Sequence, residues 1–225
     1  MSDKISLIIP CLNEEKGLAK TLPKVPKIID QILVVDGNSQ DKTREVAKSF
    51  GADVFIEKRK GYGQALISGF ENASGNVFIC LDGDSTYPVE DSEKMYKYFL
   101  ENKVDFLVAC RFPLKHKNSM SVRNFFGNLF LSSFTSLIFN YQVTDVCSGM
   151  LMMKKQTWEK MESKIKNKKW FFSCEIKIEA LKDRKIKYDE YWVELTERAG
   201  ETKAGNPWLS GIKVLLRIVG KRLYG

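Results

Sequence analysis

The stretch Val77-Phe-Ile-Cys-Leu-Asp-Gly-Asp84 joins five apolar residues to a turn that carries two carboxylates. A short apolar run bounded by turn residues is typical of a buried strand. Similar runs occupy residues 5–9, 32–35, 53–56 and 104–109, and helical patterns separate them at residues 14–22, 41–50, 62–72 and 88–101. Strands that alternate with helices predict βαβ units, so we predict an α/β fold with a mostly parallel central sheet flanked by helices on both faces.

The two carboxylates that follow the 77–81 run form the strongest candidate site. In a parallel sheet, ligands bind beyond the carboxyl ends of the strands. In extended backbone Asp82 and Asp84 point to the same side, and Gly83 leaves room for a ligand between them. Two such oxygen ligands suit Mg²⁺ or Mn²⁺, which would neutralise a diphosphate leaving group. The alternative is a solvated turn, and on either interpretation we expect Asp84 to be exposed at the edge of the sheet.

Two other turns carry residue types that bind nucleotides. Asp36 ends the 32–35 run, where a carboxylate can accept hydrogen bonds from a ribose or a base, or can form an Asx-turn with Asn38. The sequence Lys60-Gly-Tyr-Gly63 leads into a helix. A glycine-rich turn at a helix N-terminus favours anion binding, although a tight turn explains the same residues almost as well.

Composition and charge exclude several classes of protein. The 225 residues are 44% hydrophobic and 28% charged, as in an ordinary globular domain. The net charge of +8 favours nucleic acid, an anionic membrane or a phosphorylated ligand as partner, but no nucleic-acid motif is present, so we expect no nucleic acid partner. The absence of G-x-G-x-x-G and of G-x-x-x-x-G-K-[ST] disfavours a dinucleotide-dependent dehydrogenase and a P-loop enzyme.

The cysteines and the first residues indicate a cytoplasmic protein. The five cysteines are scattered and form no C-x-x-C pair, so we expect buried, reduced thiols. The first four residues lead into a strand without the regions of a signal peptide. No stretch reaches the ~20 apolar residues of a spanning helix, and we predict residues 124–141 to be an amphipathic or buried element.

Four motifs occur in an order that resembles the family 2 glycosyltransferases with a GT-A fold. They are Ile9-Pro-Cys-Leu-Asn-Glu-Glu15, Val35-Asp-Gly-Asn-Ser-Gln-Asp-Lys-Thr43, Lys60-Gly-Tyr-Gly63 and Leu81-Asp-Gly-Asp84. The resemblance is greatest to the dolichyl- or polyprenyl-phosphate sugar synthases and covers roughly residues 5–205. It implies a metal-dependent enzyme that transfers sugar with inversion from a nucleotide-sugar donor such as GDP-mannose or a UDP-sugar.

The resemblance also assigns residues to the donor site. The implied nucleotide-binding residues are Pro10, Asn13, Glu15, Asp36, Lys60 and Asp82. Asp82 and Asp84 would be the DxD pair that holds Mg²⁺ or Mn²⁺, with Asp84 the direct ligand. The synthases often have Asp-Ala-Asp-Leu-Gln at this point, the Gln helping to hold the metal. This chain has Ser85-Thr86 instead, which puts that contact in doubt and is compatible with a different donor sugar.

The second half of the chain resembles the acceptor side of the family. There the residues implied to hold phosphate groups are Arg111, Arg123, Ser148, Arg198 and Lys203. Asp145 is the one candidate for a general base, although its apolar surroundings also fit a structural role. A hydroxyl acceptor needs such a base, whereas a phosphate monoester is already anionic. The arginines therefore favour a polyprenyl phosphate acceptor.

Two alternatives stay open. The chain could act on a soluble or polysaccharide hydroxyl group, with Asp145 as the base, and it would then not use lipid phosphate. It could instead be a module that binds nucleotide or lipid without turnover. Turnover that requires both a lipid phosphate and a metal ion would distinguish the first hypothesis from these two alternatives.

The last segment predicts a basic amphipathic helix. Lys213, Arg217 and Lys221 recur every four residues and so share one face of a helix over residues 208–223. Such a helix, with Trp208 on its apolar side, fits a membrane interface, and an ordinary surface helix is the alternative. We therefore predict a glycosyltransferase domain at residues 1–205, a C-terminal helix at 206–225, and a peripheral position on the cytosolic face of the membrane.

Overall fold

A computed structural model of the protein describes residues 3–114, 121–199 and 207–224. The strands are β1 Ile5–Cys11, β2 Gln31–Asp36, β3 Asp53–Ile56, β4 Val77–Cys80, β5 Phe106–Cys110, β6 Leu151–Lys154 and β7 Tyr188–Trp192. The α-helices are α1 Glu15–Thr21, α2 Thr43–Ser49, α3 Tyr62–Asn72, α4 Ser92–Glu101, α5 Val122–Phe139, α6 Lys155–Met161, α7 Phe172–Lys182 and α8 Pro207–Tyr224. The five strands and four helices predicted up to residue 110 are confirmed, with small shifts at their ends.

The seven strands form one mostly parallel sheet in the order β3-β2-β1-β4-β6-β5-β7. β1 pairs in parallel with β2 and β4, β2 with β3, and β5 with β7. The strand β6 was not predicted, and it lies antiparallel between β4 and β5. Because β6 runs backwards, the segment before it reaches the same edge of the sheet as the carboxyl ends of the parallel strands.

Two apolar cores lie on opposite faces of the sheet, because successive side chains of a strand alternate between faces. In β1, Ile8 belongs to the core that includes residues of α3, α5, α7 and α8, whereas Leu7 and Ile9 belong to the core that includes residues of α1, α2 and α4. The cysteines predicted to be buried thiols are reduced, and Cys147 alone among them is partly exposed. The sheet is thus covered on both sides, as predicted for the α/β class.

The apolar segment after residue 121 is the long helix α5. Ser121 caps it by accepting a hydrogen bond from the Asn124 amide, and Asn140 ends it in a left-handed conformation (φ 49°). The predicted C-terminal helix is α8, which packs against α5 and α7 with Val214 and Ile218 buried. No helix in the described ranges is long and apolar enough to cross a membrane. The predicted domain boundary at 205/206 lies outside the described residues.

Candidate active site

The loops after β1 and β2 are tied together at the carboxyl edge of the sheet. The Asn13 amide donates to Ser39 Oγ at 2.8 Å, and the Gln40 amide donates back to Asn13 Oδ1 at 2.7 Å. One turn further on, the Lys42 amide donates to Glu15 Oε2 at 3.0 Å. The side chains of Asn13 and Glu15 therefore fix the relative position of two loops. Their predicted contact with a nucleotide stays a prediction.

Asp36 ends β2 with its side chain fully buried. Both carboxylate oxygens accept from the Ser39 amide, at 3.1 and 3.3 Å, and Arg44 Nε lies 3.8 Å from Oδ2. This is the turn-forming role given as an alternative for Asp36, with Ser39 rather than Asn38 as donor. Pro10 is buried beside it, since β1 pairs Pro10 with Val35 and Cys11 with Asp36.

Asp82 lies at the end of β4 between an aromatic hydroxyl and a glycine. The Tyr62 hydroxyl donates to Asp82 Oδ1 at 2.8 Å. A Cβ added to Gly149 would lie only 2.2 Å from Asp82 Oδ2, so the carboxylate packs directly on that glycine. Burial and the neighbouring charge of Asp84 raise the pKa of Asp82 to about 6. Asp82 and Asp84 therefore concentrate negative charge at one place, and a bound cation would neutralise it.

Asp84 is buried, so the prediction that it is exposed was wrong. Thr86 donates to Asp84 Oδ1 through its amide at 2.9 Å and its hydroxyl at 2.5 Å, while Arg198 Nη1 lies 2.9 Å from Oδ2. Main-chain hydrogen bonds run from the Ala199 amide to the Asp84 carbonyl and from the Thr196 amide to the Thr86 carbonyl, both at 2.9 Å. The segment 196–199 thus covers the carboxylate turn.

The carboxylates fit a divalent cation only if the substrate supplies further ligands. Among the described residues, no group of three or more His, Cys, Asp or Glu side chains could hold a metal ion. Two carboxylates with like charges held close together suit Mg²⁺ or Mn²⁺, which usually completes its shell with water and substrate phosphates. Arg198 now neutralises Asp84, so a bound cation and Arg198 would compete for the same oxygen.

Arg111, which follows β5, and Asp145, which precedes β6, form a buried ion pair. Arg111 Nε and Nη2 donate to the two oxygens of Asp145 at 2.6 and 2.7 Å, and the Arg111 amide adds a bond of 3.1 Å. Asn128 Nδ2 donates to Asp145 Oδ1 at 2.8 Å. Burial alone would raise the pKa of Asp145, but the charge and hydrogen bonds of Arg111 outweigh it and the pKa is lowered.

The segment 145–149 is braced by buried polar side chains. Ser148 is fully buried, and its hydroxyl donates to the Ala109 carbonyl at 2.6 Å. The Gly149 amide donates to the Tyr87 hydroxyl at 2.6 Å. Lys177 Nζ donates to the carbonyls of Val146 and Ser148 at 3.0 and 2.5 Å, and burial lowers the pKa of this lysine. Ser148 therefore positions the loop, and its predicted contact with a phosphate stays a prediction.

The remaining predicted residues are exposed or lie outside the described residues. Lys60 is exposed before α3, and the following Gly61 has a φ of 136°. A Cβ on Gly61 would lie 2.1 Å from the Lys168 carbonyl, so this turn needs glycine for close approach. Arg123 is exposed on the first turn of α5. Lys203 lies outside the described residues.

Three contacts were missed by the sequence analysis. They are Tyr62 on Asp82, Thr86 on Asp84, and Lys177 beneath the 145–149 segment. Tyr62 belonged to a motif that was valued for its glycines, and Thr86 was noted only as a departure from a family pattern. Lys177 is flanked by Ile176 and Ile178, and a lysine within a buried helix carries no local signal of its role.

Comparisons with known proteins show the family to which the chain is similar. Residues 6–161 match the sequence model of the family described as Glycosyl transferase family 2. The UDP-N-acetylglucosamine--dolichyl-phosphate N-acetylglucosaminyltransferase of Methanococcus voltae is 25% identical over 244 residues, or 97% of this chain and 96% of that protein. The low-salt glycan biosynthesis hexosyltransferase Agl6 of Haloferax volcanii is 29% identical over 191 residues, or 81% of this chain and 46% of that protein.

A solved structure has the same architecture. The glucosyl-3-phosphoglycerate synthase of Mycobacterium tuberculosis, crystallised with Mn²⁺, uridine diphosphate and phosphoglyceric acid, superimposes with a TM-score of 0.76. The alignment covers 100% of this chain and 80% of that one at 15% sequence identity. At this level of identity the likeness concerns the fold.

Proposed function

The chain belongs to glycosyl transferase family 2 and has a GT-A fold, and from this premise we propose that it transfers a sugar from a nucleotide-sugar donor to a polyprenyl phosphate. The reaction would invert the anomeric carbon and would take place at the cytosolic face of a membrane. Residues 1–205 would carry the transfer site, and residues 206–225 would add a helix that contacts the membrane.

The donor would bind where the loops after β1, β2 and β4 meet. Asn13 and Glu15 hold two of these loops in a fixed relation, and Asp36 shapes the turn beside Pro10. GDP-mannose or a UDP-sugar is the expected donor. Mg²⁺ or Mn²⁺ bound by Asp82 and Asp84 would supply the charge that stabilises the departing diphosphate. Arg198, which contacts Asp84, would interact with the same phosphates.

The observation that carries the choice of acceptor is the ion pair between Arg111 and Asp145. A hydroxyl acceptor must lose a proton to a base, and the base needs free oxygen lone pairs and an ordinary or raised pKa. Asp145 has a lowered pKa, and both of its oxygens already accept hydrogen bonds from Arg111. A phosphate monoester needs only positioning and neutralisation. The full-length similarity to a dolichyl-phosphate transferase supports the same acceptor class.

The test is a transfer assay with matched acceptors. Purified protein is incubated with Mn²⁺ or Mg²⁺, a panel of GDP- and UDP-sugars, and either a short polyprenyl phosphate, the polyprenol of equal length, or a soluble sugar. We expect one nucleoside diphosphate to be released only with the polyprenyl phosphate, and EDTA to abolish the release. Transfer to the polyprenol or the soluble sugar would instead support a hydroxyl acceptor. Nucleotide binding without turnover on any acceptor would support the non-catalytic module.

A pair of variants tests the metal site in the same assay. Asp84→Asn keeps an oxygen for Thr86 but removes the negative charge, so turnover should fall by about a thousandfold or more. Asp53→Asn changes an aspartate on β3 that bonds Gln31 away from the site, and its turnover should stay unchanged. Equal metal-dependent activity of Asp84→Asn and the wild-type protein would refute the assignment of the metal ligands.

A further inference from the structure

Helix α5 leaves a wide apolar face exposed. Its buried side is turned to the core through Asn128, Leu131, Ser132, Thr135 and Phe139. The opposite side carries exposed apolar residues, namely Val122, Phe126, Leu129, Phe130 and Leu137. Two phenylalanines that are 61% and 60% exposed within one helical turn are unusual on a surface that meets only water. This face of α5 is therefore built to be covered.

Helix α8 adds a second exposed apolar face next to the first. Val214 and Ile218 pack inward, and α8 lies against α5. On the outer side Ile212, Leu216 and Leu223 are 57%, 67% and 65% exposed. The sequence of this helix is compatible with an apolar side that faces either a membrane or the protein core. In the structure, one apolar stripe of α8 packs on the protein and another faces outward.

The charges on both helices are of one sign. Neither the sequence of α5 nor that of α8 contains Asp or Glu. Arg123 lies at the exposed start of α5, and Lys213, Arg217 and Arg222 are exposed on α8. Lys221 is already neutralised, since its Nζ lies 2.6 Å from Glu175 and 2.8 Å from Glu179. A second copy of this chain would bring like charges together, whereas an anionic lipid surface complements them.

Contacts of α5 connect its exposed face to the candidate site. Asn128, on the buried side of the same helical turns, donates to Asp145 at 2.8 Å. Phe125 packs its ring against Phe112, directly after Arg111, and edge-on against Phe126. A surface that contacted Phe126 and Phe130 would therefore lie within about two helical turns of the Arg111–Asp145 pair.

We propose that α5 and α8 together form a docking surface for a bilayer with anionic headgroups, in which Phe126 and Phe130 enter the interface and the exposed Arg123, Lys213, Arg217 and Arg222 contact the headgroups. The inference rests on the proposed function in one respect, because docking through α5 would bring a lipid-borne phosphate to the side of the site that contains Arg111. Binding to vesicles itself requires neither donor nor acceptor.

The test is co-sedimentation of the full chain with vesicles of phosphatidylglycerol and phosphatidylcholine in equal parts. The double variant Phe126→Ser/Phe130→Ser changes two exposed side chains, and it should weaken binding by at least about tenfold. The matched control Phe50→Ser/Leu100→Ser removes two exposed apolar side chains, one directly after α2 and one on α4, and its binding should be unchanged. Equal thermal midpoints for the variants and the wild-type protein would show that folding is intact.

Three results would overturn the proposal. They are wild-type binding by the Phe126→Ser/Phe130→Ser variant, equal binding of the wild-type protein to phosphatidylcholine alone, and a dimer in light scattering that this variant converts to a monomer. Assays of the double variant with a water-soluble short-chain polyprenyl phosphate separate the two hypotheses. Retained transfer with lost vesicle binding supports both, whereas vesicle binding by the wild-type protein without transfer supports the docking surface and contradicts the proposed reaction.

Discussion

Arg198 Nη1 lies 2.9 Å from Asp84 Oδ2, so an arginine that follows β7 neutralises the carboxylate that follows β4. The segment that carries Arg198 is held there by main-chain hydrogen bonds of Thr196 and Ala199. In the proposed reaction Arg198 would exchange this carboxylate for the phosphates of the donor once a cation is bound. The guanidinium would thus link metal binding to donor binding.

Removal of this guanidinium should impair catalysis more than it impairs folding. Arg198→Ala is expected to lower kcat/KM by about a hundredfold or more, because a cationic contact to the departing diphosphate is lost. It should also change the metal concentration needed for half-maximal activity, since Asp84 loses its competing cation. Arg184→Ala removes an exposed arginine that bonds the Phe139 carbonyl and serves as the control. Equal kcat/KM for the two variants would contradict the role of Arg198.

The ion pair of Arg111 and Asp145 makes a prediction about stability. Asp145→Asn leaves a largely buried guanidinium without its counter-charge, which should lower the free energy of unfolding by about 3–5 kcal/mol. Urea unfolding measures this directly. Arg111→Met/Asp145→Leu removes both charges and should be less destabilised than Asp145→Asn. A general base would behave differently, because its replacement would reduce activity with an unchanged urea midpoint.

Gly149 should tolerate no side chain. The Cβ of Gly149→Ala would lie 2.2 Å from Asp82 Oδ2, so the carboxylate must move away from its position beside Tyr62. We expect turnover to fall by about a hundredfold, as for other misplaced catalytic groups. Gly127→Ala is the matched control, since its Cβ meets no atom within 4 Å and should stabilise α5 slightly. Activity assays and thermal unfolding of both variants decide the matter.

Glu57 predicts how stability depends on pH. Hydrogen bonds from Arg59 and Ser68 lower the pKa of this buried carboxylate from 4.5 to about 2. A lowered folded-state pKa stabilises the fold above the unfolded value, and this contribution is lost as the pH falls toward 2. Glu57→Gln should therefore be less stable than the wild-type protein at pH 7, and the difference should shrink by about 1–2 kcal/mol by pH 3. A difference that stays constant between these pH values would contradict the assignment.

The first half of the fold was predictable because its strands are apolar and end in polar turns. The local sequence pattern predicts each of the strands β1 to β4, and ligand-binding turns usually follow parallel strands. β6 contains only the four residues Leu-Met-Met-Lys, which show no distinctive periodicity of apolar residues. Its antiparallel position between β4 and β5 therefore could not be predicted. The sheet order therefore could not be completed from sequence.

The candidate site was predicted as a set of residues but not as a set of contacts. Arg111 and Asp145 were both selected, yet their pairing spans 34 positions and no local pattern reports it. The burial of Asp84 likewise depends on a segment more than a hundred residues away. Residue type and position after a strand predict which side chains lie near a site. The partner of each side chain is decided by long-range packing.

The antiparallel course of β6 brings both ends of one long segment to the same edge of the sheet. β5 ends at the site edge and β6 begins there, so the excursion between them, residues 111–150, leaves and re-enters the sheet at one place. Insertions in this excursion that leave residues 145–149 and the buried side of α5 intact would not shift the pairing of β5 with β6. The excursion contains Arg111, the whole of α5 and the segment that supports Asp82. In the proposed reaction, changes confined to this excursion would therefore alter the acceptor side while leaving the loops that would bind the donor in place.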